Sequence, residues 1–416
     1  MQKNRRETWI ALGVLAVGLP IAVLVGVLMY YRTTAAVLHP NPDEVKSVLQ
    51  APPSPRWTTA VEEARKAARA GLSEQNLPGI SVAVAVGQDL IWAEGFGWAN
   101  IEDRVPVTPK TRFRMGHVSK VFTSAAVGLL RDQGRLQLDE EIQTYVPAFP
   151  RKQGPVTLRQ LMGHTAGIRH YTGEEADVPS SHCERASEGL SSFAAEPLLF
   201  EPDTASRYST YGWVLVSAAV EAVAKEPFFA FMRAQIFAPL GMTDTMPDSA
   251  TDTIQDRATF YFPRFSGENT AGLLVARAAD YSCFAGAGAF LSTPTDLVRF
   301  GIALGGDLRQ GSGAQGAKFL EPATVRMLQT PQVLASGKET EFGLGWTIES
   351  YTLAGRPTTL VSDASRALLG ASVSFLAFPH RGIIVVVTSN TSYAGTRSIA
   401  LRIAEAFAGS NLSHMK

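Results

Sequence analysis

From Thr8 to Tyr31 the chain runs TWIALGVLAVGLPIAVLVGVLMYY, 24 residues without a charged side chain. A lone segment that leaves water satisfies its backbone hydrogen bonds only as a helix. As a helix this one reaches about 36 Å, enough to cross a hydrocarbon core of about 30 Å. Pro20 can kink it, which membrane helices tolerate. A cleaved signal peptide would carry a shorter apolar region, about 7–15 residues, before a small-x-small site. This run is longer and ends in MYYR. The expectation is an uncleaved single-pass anchor over 8–31. Trp9, Tyr30 and Tyr31 stand at its two ends, as interface aromatics do. Lys3, Arg5 and Arg6 precede it, so residues 1–7 are expected in the cytoplasm and the main domain outside, in a periplasm if the source is bacterial.

The 416 residues suffice for one large domain or two ordinary ones. With 45% hydrophobic and 18% charged residues, the chain can bury a sizeable core. Its 38 basic and 38 acidic side chains cancel, so no basic excess invites nucleic acid. The seven histidines are scattered and no HExxH or Cys/His cluster occurs, so neither a metal nor another cofactor is expected. Cys183 and Cys283 permit one disulfide in an oxidising compartment; two free buried thiols fit the sequence equally well.

Residues 32–56 contain five prolines and are expected to form a tether. From Trp57, WTTAVEEARKAARAGL has the period of an amphipathic helix that Gly71 can end. Gly79–Val86 and Leu90–Ala99 are expected as strands around a polar turn. The middle, roughly 120–300, is mostly helical in pattern. Strands return in Gly343–Tyr351, Ser372–Phe378 and Gly382–Ser389, and TRSIALRIAEAFA closes with a helix. Strands at both ends of a helical middle imply one α/β (α+β) sheet built from both termini, over 57–408, with 409–416 as a tail.

A helix is expected to start near His117, after the break at Gly116, and to stop at Gly134. Positions three apart share a helix face, so position 117 faces Lys120. A serine there would have an amine one turn away to take its proton, which is the physical content of S-x-x-K. The tetrad is instead His117-Val118-Ser119-Lys120.

With that helix the chain resembles the serine β-lactamase and penicillin-binding protein family, and more narrowly the class C-related hydrolases. The likeness runs through PGISVAVAV, WAEGFGWANIEDRVPVTPKTRFRMG, LDEEIQTYVPAFP, VTLRQLMGHTAGIRHY, YSTYGWVLVSAAVEAVA, IFAPLGMTDT, GAGAFLSTPTDLVRF, FGLGW and SFLAFPHRGIIVVVTSN. HTAGIRHY and YSTYGW lean toward the mitochondrial-type branch. The resemblance implies an antiparallel sheet flanked by helices with a helical subdomain, and a site at the start of the S-x-x-K helix. It implies three motifs. In the first, His117 occupies the nucleophile's place and Lys120 the base's. In the second, Tyr-x-Asn, the chain has Tyr208-Ser209-Thr210. The third, Lys/His-Thr-Gly on a strand edging the site, falls on Ala364-Ser365-Arg366-Ala367. The cation is gone, and Arg366 stands where glycine lets backbone approach substrate.

The catalytic candidates are thus His117, Lys120 and Tyr208, and the substrate-binding candidates Thr210, Ser365, Arg366 and Ala367. Ser119 lies about 200° round the helix from the cleft and is expected to pack inside. His117 is expected as a neutral ring beside Tyr208, with Lys120 disfavouring its charged form. His164 and His170 are expected to be structural, and Trp98 and Trp346 to lie in the core. The sequence therefore points to an inactive family member that binds a cell-wall peptide or a protein at the envelope. The alternative is an active esterase, peptidase or β-lactamase that uses Lys120 and Tyr208 with an unusual nucleophile.

Overall fold

The computed structural model describes the backbone of residues 2–172, 182–264, 272–305, 319–366 and 370–413. It describes the side chains of the same residues apart from 2–16, 364–366 and 410–413. The strands are β1 (Ser47–Leu49), β2 (Gly79–Val86), β3 (Asp89–Asn100), β4 (Val105–Pro106), β5 (Phe113–Arg114), β6 (Met246–Pro247), β7 (Tyr261–Pro263), β8 (Leu273–Val275), β9 (Phe290–Ser292), β10 (Thr347–Leu353), β11 (Arg356–Arg366), β12 (Ser372–Phe378) and β13 (Ile383–Ser389). The helices are α1 (Gln2–Thr34), α2 (Thr58–Glu74), α3 (Ser119–Asp132), α4 (Leu158–Met162), α5 (Thr210–Ala224), α6 (Phe228–Phe231), α7 (Pro294–Gly305), α8 (Pro322–Leu328) and α9 (Thr396–Ser413).

One antiparallel sheet runs β1-β3-β2-β13-β12-β11-β10, with β4 added to β3. The N-terminal hairpin β2–β3 meets the C-terminal strands where β13 pairs with β2, Val386 opposite Ala83. The chain's two ends therefore complete one sheet around the helical middle.

Both sheet faces are covered, which is why β2, β12 and β13 read as nearly continuous apolar runs. Side chains alternate between faces along a strand. Val82, Val84, Val385 and Val387 pack with Ala64 and Leu72 of α2 and Ile399 and Ile403 of α9. Ala83, Ala85, Ile384 and Val386 face the other way, into the core shared with α3, α5 and α7. The result is a sheet between two helical layers, the second of them the subdomain that holds the site.

Several expected boundaries move. Gly71 does not end α2, which continues to Glu74 because Gly71 sits buried against Ile399. The C-terminal sheet strand begins at Thr347, not Gly343, after Gly345 turns the chain at φ +96°. Within the proline-rich stretch, Ser47–Leu49 forms the edge strand β1. Trp346 is in the core, but Trp98 is only partly buried, with Lys46 Nζ 5.5 Å from its ring centre. Helix α9 continues through 409–413, and 414–416 lie outside the described residues. Cys183 and Cys283 are joined in a disulfide, their Cα atoms 4.9 Å apart. Helix α1 is long and apolar enough to cross a membrane, and its segment Val17–Thr34 has no buried residue.

Candidate active site

The site is built on the entry to α3. Strand β5 pairs with β9, and Arg114 at its end is locked to Asp248 at 2.6 Å with both side chains buried. Gly116 then takes φ +48°, a left-handed conformation that a β-carbon penalises, and the turn Gly116–Val118 leads into α3. This brings His117 to the surface of the cleft while Lys120, one turn on, is 2% exposed.

Lys120 Nζ donates to the hydroxyl of Tyr208 and lies 4.1 Å from the centre of its ring. Burial pushes the lysine down from 10.5 to about 8, opposed by the charge of Asp363. Burial pushes the Tyr208 hydroxyl well up, with Asp363 and Tyr171 adding to the effect. The ammonium, the phenol and the carboxylate thus form one electrostatic unit.

His117 Nε2 lies 3.0 Å from the Tyr171 hydroxyl and 3.2 Å from the Thr210 hydroxyl. Those hydroxyls hold the ring, which stands beside Tyr208 as expected. Burial, then the charge of Lys120, holds its pKa well below the ordinary histidine value, so the ring is neutral. Its centre is 5.4 Å from that of Tyr208, 6.0 Å from His170 and 6.1 Å from Tyr171. Four rings thus crowd the position where the resemblance places a small nucleophile.

The segment Tyr208-Ser209-Thr210 is pinned by the HTAGIRHY loop. The backbone N–H of Ser209 donates to His164 Nδ1 at 3.1 Å, and that of Thr210 to His170 Nδ1 at 3.2 Å. Ser209 caps α5 by accepting from Gly212 N–H and donates to the carbonyl of Arg169 at 2.7 Å. His164 holds a left-handed φ of +61°, a strain that nearby bonds must balance. Burial keeps it neutral, as accepting at Nδ1 requires.

Strand β11 packs beside the Gly116–Val118 turn. Ser365 pairs with Val373 and Arg366 with Ser372 in its ladder with β12. Ala367 lies outside the described residues. Ser119 is fully buried, and its hydroxyl has no hydrogen-bond partner among the described residues. The structure thus gathers His117, Lys120, Tyr208 and Thr210 at one place, with β11 at its edge.

Two neighbours were not singled out from the sequence. Tyr171 is the last residue of HTAGIRHY, one of several aromatics there with nothing to mark it. Asp363 left a clearer signal: a carboxylate two residues after Val361 in the strand LVSDAS is a buried charge that needs a partner. Val361 faces the core shared with α3, and alternation puts Asp363 on that same face.

An antiparallel sheet between helical layers, with a buried lysine–tyrosine pair at the start of the subdomain helix, defines the class of serine-hydrolase-type folds. The family model described as Beta-lactamase matches residues 63–409, and the chain belongs to that family. It is similar to the mitochondrial serine beta-lactamase-like protein LACTB of Mus musculus, 28% identical over 86% of this chain and 82% of that protein. It is also similar to penicillin-binding protein 4* of Bacillus subtilis (strain 168), 27% identical over 66% of this chain and 61% of that one. Among solved structures, the D-amino acid amidase from Ochrobactrum anthropi SV3 aligns with a TM-score of 0.70 and 22% identity, covering 85% of this chain and 99% of that one. The octameric penicillin-binding protein homologue from Pyrococcus abyssi aligns with a TM-score of 0.70 and 21% identity, covering 84% and 77%.

Proposed function

We propose that this chain is a membrane-anchored, catalytically silent member of the β-lactamase family, whose site binds a cell-wall peptide or a protein segment at the envelope without covalent chemistry. The observation that carries this reading is His117. A neutral imidazole, bonded to Tyr171 and Thr210, fills the place of the nucleophile beside an otherwise preserved Lys120–Tyr208 pair. Ser119 offers no replacement because its side chain is fully buried. The substitution of Ala364 for the motif's cation removes the group that would hold a substrate carboxylate.

Helix α1 supports the anchoring, with Lys3, Arg5 and Arg6 on the cytoplasmic side and the main domain outside. The Cys183–Cys283 disulfide supports the same placement, because such bonds persist in oxidising compartments.

A second reading is favoured by Lys120. A lysine brought down to about 8 is poised as a general base, so an active hydrolase would use His117 as its nucleophile, with an acyl group on the imidazole. Turnover of an activated ester and of a chromogenic cephalosporin separates the two. The silent reading expects the native chain to be no faster than His117→Ala. A native rate at least about tenfold above that variant, one decade of the 10²–10⁴ that acid–base catalysis supplies, would establish the active reading instead.

A further inference from the structure

We propose that the exposed edge of β8 is a second membrane contact, seated in the phospholipid interface beside the exit of α1; this rests on the reading of α1 as an anchor. Three observations converge on it. Leu274 and Val275, on β8, are 43% and 54% exposed, an apolar edge in water. That edge lies beside the helix exit, because Arg264, just past β7, places its guanidinium 4.5 Å from the ring centre of Tyr31. Tyr30, Tyr31 and Ala36 line one cleft together with Arg264 and Leu273.

The level of β8 follows from helix geometry. Tyr31 is three residues from the last residue of α1, about 4.5 Å along its axis. Tyrosines at the end of a spanning helix sit among the headgroups. Strand β8, whose Leu273 shares the cleft with Tyr31 and with the Arg264 guanidinium over its ring, is therefore held at headgroup depth, where leucine and valine reach the acyl boundary and cations meet phosphate. Arg264 and the exposed Arg277 flank the apolar edge, and Arg32 follows the span. The acid in the cleft, Glu102, is engaged by the Tyr261 hydroxyl at 2.5 Å. Val37, 66% exposed, extends the apolar surface between Ala36 and Leu38 of the same cleft.

The test uses the full chain in vesicles of phosphatidylcholine with or without phosphatidylglycerol. The native cysteines are bonded to each other, so a thiol introduced by Leu274→Cys takes an environment-sensitive dye. A second protein carries the dye at Val17→Cys, inside the span. Quenching of both dyes by lipids with a spin label is the expected result, position 274 responding to a label near the headgroup. Adding Arg277→Glu to Leu274→Cys should weaken the contact in phosphatidylglycerol vesicles by about fivefold or more, as expected for a juxtamembrane charge. Quenching at 17 without quenching at 274 overturns the β8 contact and leaves the anchor standing. Quenching at neither position overturns the anchor reading and the β8 contact with it.

Discussion

At the scale of single residues, the site is a set of buried polar groups whose charges are rationed. Lys120 is the costly member. Its folded-state value of about 8, against 10.5 in an exposed lysine, opposes folding at neutral pH by about 3 kcal/mol. Between pH 8 and 10.5 the unfolded chain binds the extra proton, so the contribution of this residue to stability rises with pH through that window. The difference in unfolding free energy between native protein and Lys120→Met should therefore shift toward the native protein by about 3 kcal/mol from pH 7 to pH 10.5. Urea unfolding at the two pH values measures it; a difference independent of pH would mean that Lys120 titrates as an exposed lysine. His117 makes no comparable demand, because burial and the neighbouring ammonium keep it uncharged. A neutral ring at that place is compatible with the charged base beside it.

At the scale of elements, the position of α3 decides the site, and a tight contact sets that position. Thr123 of α3 donates to the carbonyl of Gly286 at 2.9 Å, and the Gly286 N–H donates to Ser217 of α5 at 3.1 Å. A β-carbon at Gly286 would lie 2.0 Å from Thr123 Oγ1 and 2.5 Å from the ring of Phe228. Gly286→Ala should therefore cost about 2–3 kcal/mol and displace α3, seen as a lowered denaturation midpoint. Unchanged stability would show that the two helices are not held by this contact. Such contacts explain what the sequence could and could not say. Strands β2, β12 and β13 were legible because both of their faces are buried and their apolar runs are nearly continuous. The motif places of His117, Lys120, Tyr208 and Thr210 were legible because the family resemblance carries its first two motifs onto them. The pinning of Tyr208-Ser209-Thr210 by His164 and His170 joins residues about 40 positions apart, which no periodicity reveals. Strand β10 was placed too early because FGLGW is apolar enough for a strand, yet Gly345 turns there. The disulfide stayed open in the sequence because pairing depends on a fold that brings positions 100 residues apart together.

At the scale of the whole molecule, an apolar helix leads into a sheet completed by both ends of the chain, and the site lies between that sheet and the helical subdomain. The disulfide ties the chain after the HTAGIRHY loop to the Ser282–Ala287 turn that packs against α5. It closes a loop with a sequence separation of 100, for which chain entropy allows about 4–5 kcal/mol. Replacing both cysteines by serine should lower the unfolding free energy by about 2–4 kcal/mol, and reductant should have no further effect on the variant. An equal midpoint for variant and native protein would remove the disulfide from the account of stability. The central claim is that the site lost its chemistry at position 117 while keeping its base and its frame. The most direct measurement is the intact mass of native protein and of His117→Ser after incubation with an activated ester. The account predicts no added mass on the native chain and one acyl group at position 117 of the variant, formed faster as pH rises through about 8, where Lys120 loses its proton. An acyl group on the native chain at His117 or Ser119, or none on the variant, would contradict it.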